Sequence, residues 1–175
     1  MRSLANIMPI VTKYSKEQIW NWLEEVTDPE IPVLNIVEMG IARKVEITDD
    51  KVTVKITPTY SGCPAMSAIE KEVNLKLAEK GIEKIEVKKD FSEIWTTDWM
   101  TEEAKQKLKD YGIAPPGKTA EDDDFLQSLK STKVVPCPQC ESLDTELQSE
   151  FGSTACKAQY VCHNCQEPFE HFKCI

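Results

Sequence analysis

The sequence predicts an α+β domain followed by a small C-terminal β module stapled by a metal ion. Three observations carry this expectation. Apolar residues recur at helical spacing over 16–26 and 66–77, and alternate at strand spacing over 41–47, 52–56 and 82–87. Two cysteine hooks, Cys137-Pro-Gln-Cys140 and Cys162-His-Asn-Cys165, stand 21 residues apart near the end of the chain. The 175 residues suffice for one domain of ordinary size and a small module, and 41% apolar composition supplies a core.

Taken in order, Ser15-Lys-Glu-Gln18 has the form of a capping box, and Ile19, Trp22, Leu23 and Val26 then form one helical face until Asp28-Pro29 stops the run. This predicts a first helix over 16–26. The alternating runs 41–47 and 52–56 join across Thr48-Asp-Asp-Lys51 as a hairpin. The loop Pro58-Thr-Tyr-Ser-Gly-Cys-Pro64 leads into a second helix with Met66, Ile69, Val73 and Leu77 on one face, closed by Gly81. Ile82, Ile85 and Val87 predict a third strand. The order is α-β-β-α-β over residues 12–90.

Residues 91–133 read as a connecting segment. It holds Trp95 and Trp99, a short helix with Thr101 as its N-cap and a charged outer face, the turn-rich Ala114-Pro-Pro-Gly117 and the like-charged block Glu121-Asp-Asp-Asp124. The two tryptophans, outside regular structure, suit either a protein interface or cover for the edge of the small domain.

Residues 134–175 carry the hooks. Two residues between cysteines let one tight turn aim both sulfurs at a single ion, and two such turns close a four-thiolate shell, so Cys137, Cys140, Cys162 and Cys165 are the expected ligands and Zn2+ the expected metal. The gap between hooks accommodates the short strands of a zinc ribbon. Cys156 and Cys174 are spare thiols, either of which could replace a hook cysteine, and His163 and His171 are weaker candidates.

A disulfide framework would need an oxidising compartment. The first residues lack an apolar core of about seven residues with a small-residue cleavage site, and no run approaches the roughly eighteen apolar residues of a membrane span, so a cytoplasmic chain without a membrane partner is expected. The formal charge is −9, and both parts are acidic: residues 134–175 hold 2 basic and 6 acidic side chains of the 21 and 30 in the chain, leaving 19 and 24 before them. Nucleic-acid binding draws on lysine and arginine. With only Lys157 and Lys173 in the ribbon, a protein partner is favoured over a nucleic acid.

Cys63 lies beside Pro64 at the start of the second helix, where the helix dipole lowers a thiol pKa; the alternative is a small residue buried in the turn. Asp28 and Glu30 flank a stiff turn that could face the Cys63 loop. Glu167 and His171 are four apart, and the Glu-x-x-His of di-iron carboxylate bundles occurs nowhere. Nor does a Gly-x-Ser-x-Gly elbow, a phosphate loop or a dinucleotide fingerprint.

Asp28-Pro-Glu-Ile-Pro32, Met39-Gly40-Ile and Thr59-Tyr-Ser-Gly-Cys-Pro64 resemble the small domain of MIP-type iron-sulfur assembly factors. Ile94-Trp-Thr-Thr-Asp-Trp-Met100, Tyr111-Gly-Ile-Ala-Pro-Pro116, Phe151-Gly-Ser-Thr-Ala-Cys-Lys-Ala158 and Glu167-Pro-Phe-Glu-His-Phe-Lys173 extend the resemblance to the D proteins of bacterial phenylacetate degradation, from about Ser15 to the end. The resemblance implies an accessory protein of the multicomponent phenylacetyl-CoA epoxidase, which performs 1,2-ring epoxidation in aerobic phenylacetate catabolism. It implies no catalytic residue of its own and the oxygenase and reductase subunits as partners. It also implies a maturation role in which Cys63, with Asp28, Glu30, Thr59 and Gly62 supporting its loop, briefly holds iron or an iron-sulfur cluster. A non-catalytic structural or regulatory subunit is the other reading, and self-association as a homodimer is left open. One departure concerns Glu141 and Gln166, which occupy the position after each hook where glycine is common.

Overall fold

The computed structural model describes residues 13–48, 51–60, 62–117 and 134–173. Helix α1 (Lys16–Leu23) opens on the expected capping box: Ser15 Oγ accepts the Gln18 N–H at 3.1 Å, and Gln18 Oε1 accepts the Ser15 N–H at 2.9 Å. It ends three residues before the predicted Val26. The cause is the return of the chain on itself, in which Val26 O accepts the Ile36 N–H at 3.0 Å and Asp28 N donates to Leu34 O at 2.9 Å. Those backbone groups are therefore committed to the loop rather than to another helical turn.

Strands β1 (Ala42–Thr48) and β2 (Lys51–Ile56) pair antiparallel from Ala42↔Ile56 to Thr48↔Lys51. The two turn residues between them, Asp49 and Asp50, lie outside the described residues. Helix α2 (Ala65–Glu79) then carries the chain back so that β3 (Lys84–Lys89) pairs with β2 in parallel, giving the order β1-β2-β3. A parallel neighbour requires such a crossover. Met66, Ile69, Val73 and Leu77 are buried, as their spacing predicts, against Ile19 and Leu23 of α1 and Val45, Val52, Val54 and Ile56 of the sheet. Each such side chain contributes roughly 1.5–3 kcal/mol on removal from water.

Gly40, at φ +69°, makes a close approach that a side chain would block: a Cβ there would stand 2.7 Å from Trp99 Cβ. This contact seats the segment after β3 on the domain. A 3₁₀ turn (Thr97–Trp99) leads to α3 (Glu102–Asp110), capped by the Thr101 hydroxyl, which accepts the Ala104 N–H at 3.1 Å.

The segment read as a connector then departs from expectation. Ile113–Ala114 forms a short strand, β4, paired in parallel with β7 (Pro168–Phe172), so the second sheet runs β4-β7-β6-β5 with β5 (Thr145–Ser149) and β6 (Lys157–Cys162) antiparallel. Two buried apolar residues, Ile113 and Ala114, outweigh the turn signal of the prolines that follow. The acidic block at 121–124 lies outside the described residues.

Of the two uses open to the tryptophans, Trp95 takes the covering one. It is fully buried, donates its indole N–H to Met39 O at 3.0 Å, and packs against Phe172 of the second sheet. Trp99 is half-buried beneath the Arg43 guanidinium, 3.6 Å from the ring centroid. The two sheets share one core through Trp95, Cys156 and Phe172. Among the described residues no helix is long and apolar enough to cross a membrane.

Candidate functional site

The hooks converge. One ligand atom from each of Cys137, Cys140, Cys162 and Cys165 lies within 4.8 Å of the others, with Cys137 Sγ 3.7 Å from Cys165 Sγ and Cys140 Sγ 3.5 Å from Cys162 Sγ. A tetrahedron of sulfurs at the usual Zn–S length of about 2.3 Å has edges of about 3.8 Å. Two of the sulfur separations already match that edge, and the four-thiol donor set fits zinc. Cys137 and Cys162 are buried and Cys140 and Cys165 face outward, so the shell is closed from the inside and reachable from one side.

Backbone turns set this geometry. Glu141 N donates to Cys137 O and Gln166 N to Cys162 O, both at 2.9 Å, wrapping each hook around its pair of sulfurs. The turns place Glu141 at φ +61° and Gln166 at φ +64°, the left-handed region that glycine would enter without cost. Glu141 also forms an ion pair with Lys109 of α3. The side-chain amide of Asn164 and the Ser142 backbone N–H hold the Cys140 thiol down at about 6. The Glu167 N–H pulls Cys165 the same way, but burial and the neighbouring thiols push it up to about 12. Metal binding at four thiols releases their protons, so retention of the ion depends on pH.

The second candidate centre lies in the α+β domain. The Asp28 turn and the Cys63 loop are brought together: the charges of Glu30 and Asp28 both act on the Cys63 thiol. Asp28 is buried, and its Oδ1 accepts the N–H groups of Glu30 at 2.7 Å and Ile31 at 2.9 Å. Burial nevertheless raises its pKa, partly offset by those bonds and by Lys157. Thr59 is buried and its hydroxyl stabilises the Cys63 thiolate, whereas Gly62 is exposed.

Of the two readings of Cys63, a thiol lowered by the helix start or a small residue buried in the turn, burial has the larger effect. Pro64 is the N-cap of α2 and makes no side-chain cap bond, which leaves Cys63 one residue before the cap and half-buried. Burial pushes its thiol above 9.0, the Ala65 N–H and Thr59 pull it back, and the two carboxylates raise it further. Desolvation and like charge outweigh the helix terminus.

Cys156 stands apart from the four-thiol cluster. It is buried in the core shared with the α+β domain, in the electrostatic reach of Glu30, Lys157 and Asp28. Cys174 lies outside the described residues. His163 is 3.3 Å from Glu146 on the surface, and His171 Nδ1 is 3.1 Å from Ala114 O. Sequence reasoning gave no site role to Tyr60, Lys157 or Glu170. The first lies beside Cys63 in sequence, whereas the ion pair of the other two, 2.7 Å long and buried at Lys157, spans two strands whose pairing no local pattern announces.

An α+β domain with a carboxylate-flanked cysteine loop, carrying a four-thiol β ribbon on a shared core, defines an iron-sulfur-assembly-type protein with an appended zinc ribbon. Family models match both parts: "Iron-sulfur cluster assembly protein" over residues 16–88 and "PaaD zinc beta ribbon domain" over residues 121–173. The chain belongs to the PaaD family, since it is 41% identical over all 175 residues, and over the whole length of the relative, to the candidate D component of the 1,2-phenylacetyl-CoA epoxidase of Escherichia coli (strain K12). An Fe-S protein maturation auxiliary factor of Porphyromonas gingivalis is 36% identical over 96 residues, 54% of this chain and 90% of that protein. The crystal structure of a DUF59 domain from Bacillus anthracis aligns with TM-score 0.50 and 27% identity, covering 53% of this chain and 90% of that one.

Proposed function

We propose that this protein is a maturation factor of a multicomponent phenylacetyl-CoA epoxidase, assisting the insertion of iron or an iron-sulfur cluster into the oxygenase or reductase subunits. The observation that carries the reading is the convergence of Asp28, Glu30 and Thr59 on Cys63, in the part of the chain that matches the assembly family. Iron is the cargo here. The two carboxylates attract a cation, Cys63 gives up its proton as the metal binds, and Thr59 with the Ala65 N–H stabilises the resulting thiolate. Burial, together with the charges of Glu30 and Asp28, favours the protonated thiol at Cys63 before cargo arrives.

In this reading zinc, held by Cys137, Cys140, Cys162 and Cys165, is structural: it organises a segment too short to bury a core alone. The ribbon provides the surface for the oxygenase or reductase, with Val134, Leu143 and Phe151 among its exposed apolar side chains; Phe91 and Ile94, rather than Trp95, are exposed on the segment after β3. The half-burial of Cys63 favours the second reading, a structural subunit in which zinc only staples an interaction module. Elemental analysis with visible absorption on protein purified without oxygen, from cells also making the oxygenase and reductase subunits, separates the two. Iron associated with the chain and lost in Cys63→Ser supports the maturation reading. One zinc per chain, with iron absent in both forms, supports the structural one.

A further inference from the structure

We propose that the outward face of the first sheet, at the end where Lys44, Lys55 and Lys88 lie side by side and Phe91 and Ile94 stand exposed, is a docking surface for an acidic protein face carried by the oxygenase or reductase subunit. The inference rests on the partners named in the maturation reading and adds a second contact surface to that of the ribbon.

The register of the sheet builds the surface. Lys44 stands opposite Lys55 and Lys55 opposite Lys88, so one rung across all three strands is lysine alone; the next holds Glu46, Thr53 and Glu86, and the last Thr48, Lys51 and Lys84. Opposed residues share a face, and the alternate positions Val45, Val52 and Val54 are buried against the helices, so the lysines are turned away from the core. Like charges opposed in this way cost stability, and the sheet relieves them only locally. Lys44 pairs with Glu46 at 2.6 Å, Lys51 and Lys88 share Glu86 at 2.9 and 3.1 Å, and Lys55 reaches Asp90 at 3.6 Å. Five lysines against three carboxylates leave this face positive on a chain whose net charge is −9.

The apolar part comes from the segment after β3. Asp90 N donates to Ile56 O at 2.8 Å beside the end of β2, and Glu93 pairs with Arg43 of β1 at 3.5 Å, so residues 90–93 cross the sheet at the end that carries the lysine rung. Phe91 lies in this crossing and Ile94 follows it, 62% and 84% exposed. The buried Trp95, whose indole N–H donates to Met39 O, fixes the segment in place, so these two side chains are presented without further ordering. Apolar side chains beside lysines suit a protein partner: contact covers the apolar pair, while the lysines steer carboxylates and fix orientation. The Glu46 and Glu86 carboxylates in the middle rung would repel a phosphate backbone.

The test measures binding of the zinc-loaded full chain to the separately purified oxygenase and reductase subunits by titration calorimetry at low and high salt. One of these subunits should bind the parent chain, with an affinity that falls about tenfold or more as salt screens the contact. This reading is made on the unsubstituted protein and so is independent of whether a variant folds. The double variant Lys44→Glu, Lys88→Glu sets opposite charges on either side of Lys55 and should keep the parent's melting temperature, yet bind about tenfold more weakly or worse. Phe91→Ser with Ile94→Ser, at exposed positions outside the core, should weaken binding to a similar degree, and Cys63→Ser should bind like the parent. Binding indifferent to salt and to both double variants, or tighter binding to duplex DNA or phosphatidylserine vesicles than to either subunit, would overturn the surface; iron loading that still depends on Cys63 would then leave the maturation reading standing. No binding to either subunit would overturn both.

Discussion

The indole of Trp95 meets the ring of Phe172 edge to face, with centroids 6.1 Å apart and planes inclined by 62°. Both side chains are fully buried. One comes from the segment after β3 and the other from the last strand of the ribbon, so the two sheets are joined through a packed core rather than hung on a tether. Truncating either ring, as Trp95→Ala or Phe172→Ala, should cost about 3–5 kcal/mol in denaturant unfolding and should loosen both sheets together. A change confined to one sheet, read by hydrogen exchange, would argue that the contact is incidental.

Removing the metal should propagate for the same reason. Sequence alone suggests that losing a hook cysteine melts residues 134–175 and spares the rest; the shared core instead predicts that Cys162→Ser, or chelation, abolishes zinc retention and also lowers the melting temperature of the α+β domain. Calorimetry with parallel zinc analysis checks both halves of this statement. Acid should act like chelator, since the ligands must be deprotonated and fewer thiolates survive as pH falls.

The strained knuckles give a stabilising prediction. Gln166 sits at φ +64°, which costs a residue with a Cβ about 1–2 kcal/mol, partly offset by the greater freedom glycine has when unfolded. Gln166→Gly should therefore stabilise the zinc-loaded protein by about 0.5–1 kcal/mol, whereas Gln166→Ala should not. Glu141→Gly should gain less, because it gives up the ion pair with Lys109.

Alkylation of Cys63 should be slow at neutral pH and rise only above the ordinary thiol range of 9.0, because burial and then the carboxylates of Glu30 and Asp28 favour the protonated form. Glu30→Gln removes one of those negative charges, so the profile should move to lower pH. A profile centred below 9.0 in the parent protein, measured by mass mapping of the Cys63 peptide, would contradict the assignment.

Much of this architecture was legible because it is local. The capping box at Ser15 and Gln18, the period of Met66, Ile69, Val73 and Leu77, and the spacing of the hooks each specify their own geometry within a few residues. What was not legible depends on distant partners. Ile113 and Ala114 become a strand only because Glu170 and His171 stand opposite them. Trp95 is buried only because Phe172 returns to it. Cys63 showed the same limit in its chemistry: its place before Pro64 pointed to a helix terminus, but the dominant influence is desolvation by a core assembled from both sheets. The convergence of Asp28 and Glu30 on Cys63 is conditional on the sheet, and the sheet supplies it.

The central claim is that this chain loads its partners through Cys63, and the most direct measurement is the iron and sulfide content of the oxygenase and reductase subunits purified from cells that co-express them with either the parent protein or Cys63→Ser. The account predicts partner subunits of normal yield but depleted metal with Cys63→Ser, while the variant keeps its zinc and still binds them. Fully metallated partners with that variant would contradict it.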